Sequence, residues 1–197
     1  MKKVLAILFV LVMAASVMVG CTEDTTTTTT TTTAAATTTT TTAATTTTQA
    51  KETYEEILAN AGVVHLPTVK GEKTASFVSV DEDVIDVIDY GYNSDGVICE
   101  MIETTYMPFG GTYTDEYAET LDEVVKAEFT HFDSIDCATV ESRYDERVYV
   151  LVIKYTDLDN LDNIRALYEA DIFNEAYSYY LMADAEAEML STGYVKK

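Results

Sequence analysis

The stretch Val84-Ile85-Asp86-Val87-Ile88-Asp89-Tyr90-Gly91-Tyr92, followed by Asn93-Ser94-Asp95-Gly96 and a β-rich run from Val97 to Met107, decides the fold. Val, Ile and Tyr dominate the first nine residues, and branched or aromatic side chains favour the pleated surface of a strand. Asn, Asp and Gly in the next four mark a tight reversal, with Gly96 free to take positive φ. The second run is therefore expected to return antiparallel beside the first. Upstream, Ala75–Val80 reads as another strand, set off by the acidic punctuation Asp81-Glu82-Asp83. Downstream, Pro108 through Gly111 break the chain.

Beyond that break Thr114 is placed to cap a helix whose first turn carries Asp115 and Glu116, which favourably meet the positive end of the helix dipole. Ala118, Leu121, Val125, Phe129 and Phe132 then recur at helical spacing and define its apolar face. Ile135–Tyr144 and Arg147–Thr156 read as two further strands joined through Asp145-Glu146. The run Val148–Ile153 is apolar at every position, which predicts a central strand covered on both faces. At the amino-terminal side, Thr53 with Glu56 forms a capping-box pattern ahead of Tyr54, Ile57, Leu58 and Ala61, and Gly62 stops the helix. At the carboxyl end a short helix is expected near Leu161–Glu169. A longer one follows near Ser178–Ser191, with Met182, Ala185, Met189 and Leu190 inward. The fold class is α+β: an antiparallel sheet of about five strands with helices packed on it, in the order α-β-β-β-α-β-β-α-α.

The first fifty residues carry an address. Met1-Lys2-Lys3 is basic, Val4 to Val19 is apolar apart from Ser16, and Gly20-Cys21 follows. A basic start, a short hydrophobic stretch and small residues make an export signal. A small residue ahead of a cysteine is the pattern at which a bacterial lipoprotein is acylated and cleaved. Residues 1–20 are thus expected to be the signal peptide and Cys21 the lipid attachment site. Two acyl chains, at about 0.8 kcal/mol per buried methylene, hold a protein stably on a bilayer. Residues 21–50 are almost wholly Thr and Ala after Cys21, with nothing large to bury, and read as a disordered tether. Such a tether spans roughly 30 Å as a coil and about 95 Å when stretched. That length suits a domain lifted from the membrane into a Gram-positive wall, on its extracellular side.

Residues 51–197 are expected to form a single domain. Lys2 and Lys3 cancel Glu23 and Asp24, so the whole net charge of −22 falls on this region. Such a surface repels nucleic acid and anionic lipid, which excludes nucleic-acid binding. The membrane is reached through the anchor, and the protein or envelope component on the other side is left open. Cys99 and Cys137 make a disulfide chemically allowed in an exported domain, while a buried free thiol is equally ordinary.

The order of parts resembles the YehR-like family of small bacterial lipoproteins over roughly residues 75–197. The likeness rests on the Tyr-bearing hairpin Asp89-Tyr90-Gly91-Tyr92-Asn93-Ser94-Asp95-Gly96 and on the next strand with Glu103-Thr104. It continues through the Thr-rich entry to the central helix and the ending Ser191-Thr192-Gly193-Tyr194-Val195-Lys196. The family has no established biochemical function, so the resemblance implies an address and a fold and carries over no catalytic residue. The Thr tether and the helix at 51–62 are additions to the pattern.

The residues themselves offer no catalytic constellation, no cofactor motif and no metal-ligand set. Asp86 and Asp89 fall on opposite faces of their strand and are expected to be solvated. Asp157–Asn163 alternates oxygen ligands like a calcium loop, but Asp162 stands where Gly belongs and Leu161 where a ligand belongs. A capped strand-to-helix turn explains it better. His65 and His131 have no companion in sequence, and the 14 tyrosines read mostly as strand and core fillers. The expected function is therefore a noncatalytic binding or interaction module held outside the membrane. An extracellular hydrolase and a low-affinity divalent-cation-binding domain are the alternatives.

Overall fold

A computed structural model describes residues 52–111, 113–174 and 178–197. The lipoprotein signal, Cys21 and the tether lie outside the described residues. The elements run α1 (Tyr54–Asn60), β1 (Lys73–Asp81), β2 (Val84–Tyr92), β3 (Ile98–Pro108) and α2 (Asp115–Glu128). A 3-10 turn (Thr130–Ser134), β4 (Ala138–Tyr144), β5 (Val148–Tyr155), α3 (Leu161–Glu169), α4 (Met182–Ser191) and β6 (Val195–Lys196) complete the chain. All strand pairs are antiparallel, in the spatial order β4-β5-β3-β2-β1-β6. The fold is α+β, as the pattern predicts, with six strands in place of about five. The sixth is only two residues long: Val195 and Lys196 pair with Val78 and Phe77.

The hairpins form where turn chemistry allows. Glu82, at φ 54°, and Asp83 link β1 to β2. Between β2 and β3 the Asn93 side chain accepts hydrogen bonds from the amides of Asp95 and Val97, each at 3.0 Å, while Gly96 takes φ +83°. The apolar strand β5 lies inside the sheet, with β3 and β4 on its two sides. Tyr149, Leu151, Ile153 and Tyr155 are buried on one face; Val150 is buried and Val152 half-buried on the other.

One face of the sheet, carrying Val78, Ile85, Val87, Tyr106 and Val150, packs against Tyr54, Ile57 and Leu58 of α1. The capping box at the start of α1 is present: Thr53 accepts from the Glu56 amide, and the Glu56 carboxylate accepts from the Thr53 amide at 2.8 Å. The opposite face meets the remaining helices. Asp122 of α2 reaches Ser142 and Tyr149, Phe132 of the 3-10 turn packs at a tilt against Tyr155, and Leu167 of α3 is fully buried.

Three expectations shift. Phe129 and Phe132 are buried, but α2 ends at Glu128 and they sit around the 3-10 turn that follows. Strand β4 begins at Ala138, because Ile135 closes that turn through a bond to the Phe132 carbonyl. The last helix starts at Met182, not near Ser178. The Ile98 amide donates to the Tyr180 carbonyl and the Met182 amide to the Gly96 carbonyl, which holds residues 180–182 extended against the β2–β3 hairpin. Leu190, expected inward, is exposed.

Between α1 and β1 the chain crosses the sheet as a strap. Its alternation puts Val63 and His65 inward, while Val64 (85 % exposed) and Leu66 (77 %) point out. The strap ends in a close backbone approach. A Cβ on Gly91 would lie 2.0 Å from the Lys70 carbonyl oxygen, and one on Gly71 would lie 2.5 Å from the Tyr92 nitrogen. Only glycine fits at either position.

Candidate functional site

Each face of the sheet carries a polar cluster in otherwise apolar surroundings, and each holds one buried phenol without a hydrogen-bond partner among the described residues, Tyr54 on the α1 face and Tyr90 on the other. On the α1 face, Asp89 is the centre. Antiparallel register sets Ser76 directly opposite it, and the Ser76 hydroxyl donates to Asp89 Oδ1 at 2.5 Å. The strap brings His65, whose Nε2 lies 2.7 Å from Asp89 Oδ2, and whose Nδ1 lies 2.7 Å from the Tyr106 hydroxyl. A carboxylate only accepts, so Nε2–H donates to Asp89, while Nδ1 bonds with the Tyr106 hydroxyl. Both side chains of the His65–Asp89 pair are buried, at 5 % and 1 % exposure. Next to them the Tyr54 phenol is pushed well above its ordinary range, by burial first and then by Asp89.

This arrangement has the parts of a hydrolytic triad in the wrong order. The serine bonds to the acid and not to the imidazole, so no base activates it, and both imidazole nitrogens are engaged. Its work is mechanical. Removing one partner of a buried hydrogen-bonded pair leaves the other unsatisfied, at a cost of about 1–3 kcal/mol and more for a charged group, so the pair latches the strap to the sheet. A second latch lies further along, where the Lys70 amide donates to the Glu100 carboxylate and Lys154 pairs with the other Glu100 oxygen at 2.6 Å.

The opposite face carries Glu103 on β3. Register places it across from Ile88 on β2 and Ile153 on β5. Its diagonal neighbours on the same face are therefore Asp86, Tyr90, Leu151 and Tyr155, with Cβ atoms about 7–8 Å away. Burial, helped by the nearby Asp86 charge, pushes the Glu103 carboxyl up to about 7. Asp86 is raised as well, by burial, although the Thr105 hydroxyl donates to it at 2.6 Å. Tyr194, which follows α4, closes one side. Burial pushes it up to about 12, with smaller contributions from Asp86 and Glu103. The Tyr90 hydroxyl is wholly buried and has no hydrogen-bond partner among the described residues. Nor does any described Lys or Arg pair with Glu103. The face thus holds two carboxyls pressed toward their neutral forms and one orphan hydroxyl, ringed by tyrosines.

Asp86 and Asp89 do lie on opposite faces of β2, but the expectation that they are solvated is wrong. Both are buried, and their partners Thr105, Ser76 and His65 lie 13 to 24 residues away. Asp157–Asn163 is a capped turn: Asn160 accepts from the Asp162 amide at the start of α3, and Asn163 donates to the Asp157 carbonyl. Cys99 and Cys137 are free thiols, approaching the carbonyls of Val97 and Asn163. His131 is exposed and bonds to the Glu128 carbonyl. Among the described residues no cluster of His, Cys, Asp and Glu is arranged to hold a metal ion. No helix among them is long and apolar enough to cross a membrane.

Two solved structures show a weak likeness of fold to this chain. The NMR structure of the E. coli YehR protein is 17 % identical, covers 64 % of this chain and 90 % of its own, and superposes with a TM-score of 0.46. The NMR structure of a protein from Streptococcus pneumoniae TIGR4 is 12 % identical, covers 68 % and 93 %, and superposes with a TM-score of 0.41. No protein-family model matches the chain, and no curated protein matches it in sequence.

Proposed function

We propose that this chain is a lipid-anchored envelope protein of the YehR-like kind, acylated at Cys21 and facing the extracellular side, whose region 51–197 is a noncatalytic binding module. We further propose that its ligand presents a cationic ammonium group to the face around Glu103. The observation that carries the binding reading is the Glu103 carboxyl, half-buried on the sheet face, held at about 7 with no described Lys or Arg to pair with, and set beside the unpartnered Tyr90 hydroxyl. A buried polar atom without a partner costs about 1–3 kcal/mol, and a bound donor would relieve that cost. An ammonium group supplies both that hydrogen bond and the charge the carboxyls lack. Surrounding tyrosines add attraction through their ring faces, worth about 0.5–2 kcal/mol each when desolvated. A net charge of −22 draws cations to the surface before docking.

The test is calorimetric titration of the full chain with n-butylammonium and with calcium chloride, at pH 8 and pH 5.5. Ionised Glu103 is the binding form, so ammonium binding is expected at pH 8, to weaken at pH 5.5 and to be lost in Glu103→Gln. Heat from calcium alone would favour the divalent-cation alternative, and silence with both probes would sink the site. The anchor is tested apart from it. Cys21→Ala should abolish labelling by a fatty-acid analogue in cells, and labelling that persists would overturn the address.

One observation favours a hydrolase as the second reading. Asp86 and Glu103 are diagonal neighbours on one face, as the paired carboxylates of a glycoside-cleaving site share a groove, and a carboxyl near 7 suits a general acid. Glycoside turnover by the full chain that disappears in both Asp86→Asn and Glu103→Gln would replace the binding reading.

A further inference from the structure

The sheet ends on one side at β4, whose strand neighbour is β5, with regular register from Ala138↔Tyr155 to Tyr144↔Tyr149. A seven-residue edge strand without a bulge leaves a row of backbone donors and acceptors open, which proteins usually blunt. At the other edge that blunting is visible, since β6 pairs with β1 and the Lys197 amide donates to the Ser76 carbonyl. At β4 it is not. The strand is held straight from behind, because the Ser142 hydroxyl donates to Asp122 of α2, and Tyr144 stacks on Tyr149 of β5.

The outward chemistry of β4 is complementary to itself. Glu141 and Arg143 are exposed on one face, and neither makes an ion pair or side-chain hydrogen bond among the described residues. Two copies related by a two-fold axis normal to the sheet would pair antiparallel, and only residues of the same face could stand opposite each other. An axis through Glu141 sets Glu against Glu. An axis through Arg143 sets Arg against Arg and Glu141 against Asp145. An axis through Ser142 sets Glu141 against Arg143 of the second copy, and Arg143 against its Glu141. On the other face that same register matches Val140 with Tyr144, twice. Opposite charges and aromatic–branched pairs directly across a strand pair are favourable, and like charges are not.

We infer that β4 docks on β4 of a second copy, antiparallel and centred on Ser142, joining two six-stranded sheets into one. The occupant is a second copy because the complementarity is two-fold: the strand supplies both halves of each pair. Mutual repulsion between two chains of −22 is screened beyond about 8 Å at physiological salt, whereas the paired side chains touch. Nothing in this inference depends on the Glu103 face.

The test is sedimentation equilibrium of the full chain in density-matched detergent at 0.15 M salt, over a wide range of concentration. The wild type is expected to dimerise reversibly. Arg143→Glu places four acidic side chains across the pair and should weaken association roughly tenfold or more. Glu141→Arg combined with Arg143→Glu exchanges the charges, keeps them opposite and should restore it. A wild type that stays monomeric at every concentration overturns the inference. So does an Arg143→Glu variant that dimerises as well as wild type, or a double variant that fails to recover.

Discussion

Replacing Glu103 by Gln should stabilise the unliganded protein at alkaline pH and do almost nothing at acid pH. Glu103 rises from an ordinary 4.5 to about 7 because burial on the sheet face disfavours its ionised form. Such a rise corresponds to about 3 kcal/mol against the charged state, which partial solvent access reduces to about 2 kcal/mol. The folded state holds this proton more tightly than the unfolded state does. Stability is therefore fully present below pH 4.5, falls as pH rises from 4.5 through 7, and is flat above. Glutamine is neutral throughout and does not lose it. Urea unfolding of both proteins should give equal stability near pH 4 and a gain for the variant of about 2 kcal/mol at pH 8, or roughly 4–8 °C in melting temperature. A gain of equal size at both pH values, or none, would show that the carboxyl is not held near 7, and the binding face would lose its electrostatic basis. A stabilised variant that no longer binds ammonium would mark Glu103 as a residue kept at a cost to stability.

His65→Ala should destabilise by about 3 kcal/mol or more, since it strands the buried Asp89 carboxylate and the Tyr106 hydroxyl together; chemical denaturation measures the loss, and faster proteolysis between residues 62 and 70 locates it in the strap. Gly91→Ala should cost at least about 1–3 kcal/mol, because its methyl meets the Lys70 carbonyl and the backbone has to part. Gly96→Ala is strained by φ +83° but meets nothing within 4 Å, so its cost should be smaller, about 1 kcal/mol; thermal melts of the two variants side by side separate backbone clash from conformational strain.

What the sequence made legible was local. The β2–β3 hairpin could be read because Asn93 and Gly96 carry their turn chemistry with them, and α1 because Thr53 and Glu56 stand three residues apart. The interior place of β5 followed from a run without a polar residue. What stayed hidden depended on distant partners. Nothing near Asp89 announces Ser76 or His65, so a strand aspartate looked like a solvated one. His65 looked solitary because Tyr106 lies 41 residues on. Strand β6 is two residues with no pattern of its own, and it exists because β1 offers an edge. The start of α4 moved for the same reason, since backbone bonds from Ile98 and Met182 outweigh helix propensity at residues 178–181. The Glu103 face was the least visible, because its members come from β2, β3, β5 and the chain after α4, and only the register puts them side by side.

The pairing of β3 with β5 also dictates an order of assembly. Strands β1, β2 and β3 are joined by short turns and can zip locally, but Met101 must wait for Tyr155 and Pro108 for Val148. Each of those pairings closes a loop of about forty to fifty-five residues, and long closures come late. Until β5 arrives, the eleven residues of β3 form a bare edge carrying Ile102, Thr104 and Tyr106. An edge of that kind is where partly folded chains stick to one another. A folding chain crosses this interval with its most adhesive strand uncovered, and substitutions that slow the β4–β5 hairpin should lower its yield before they alter the finished fold.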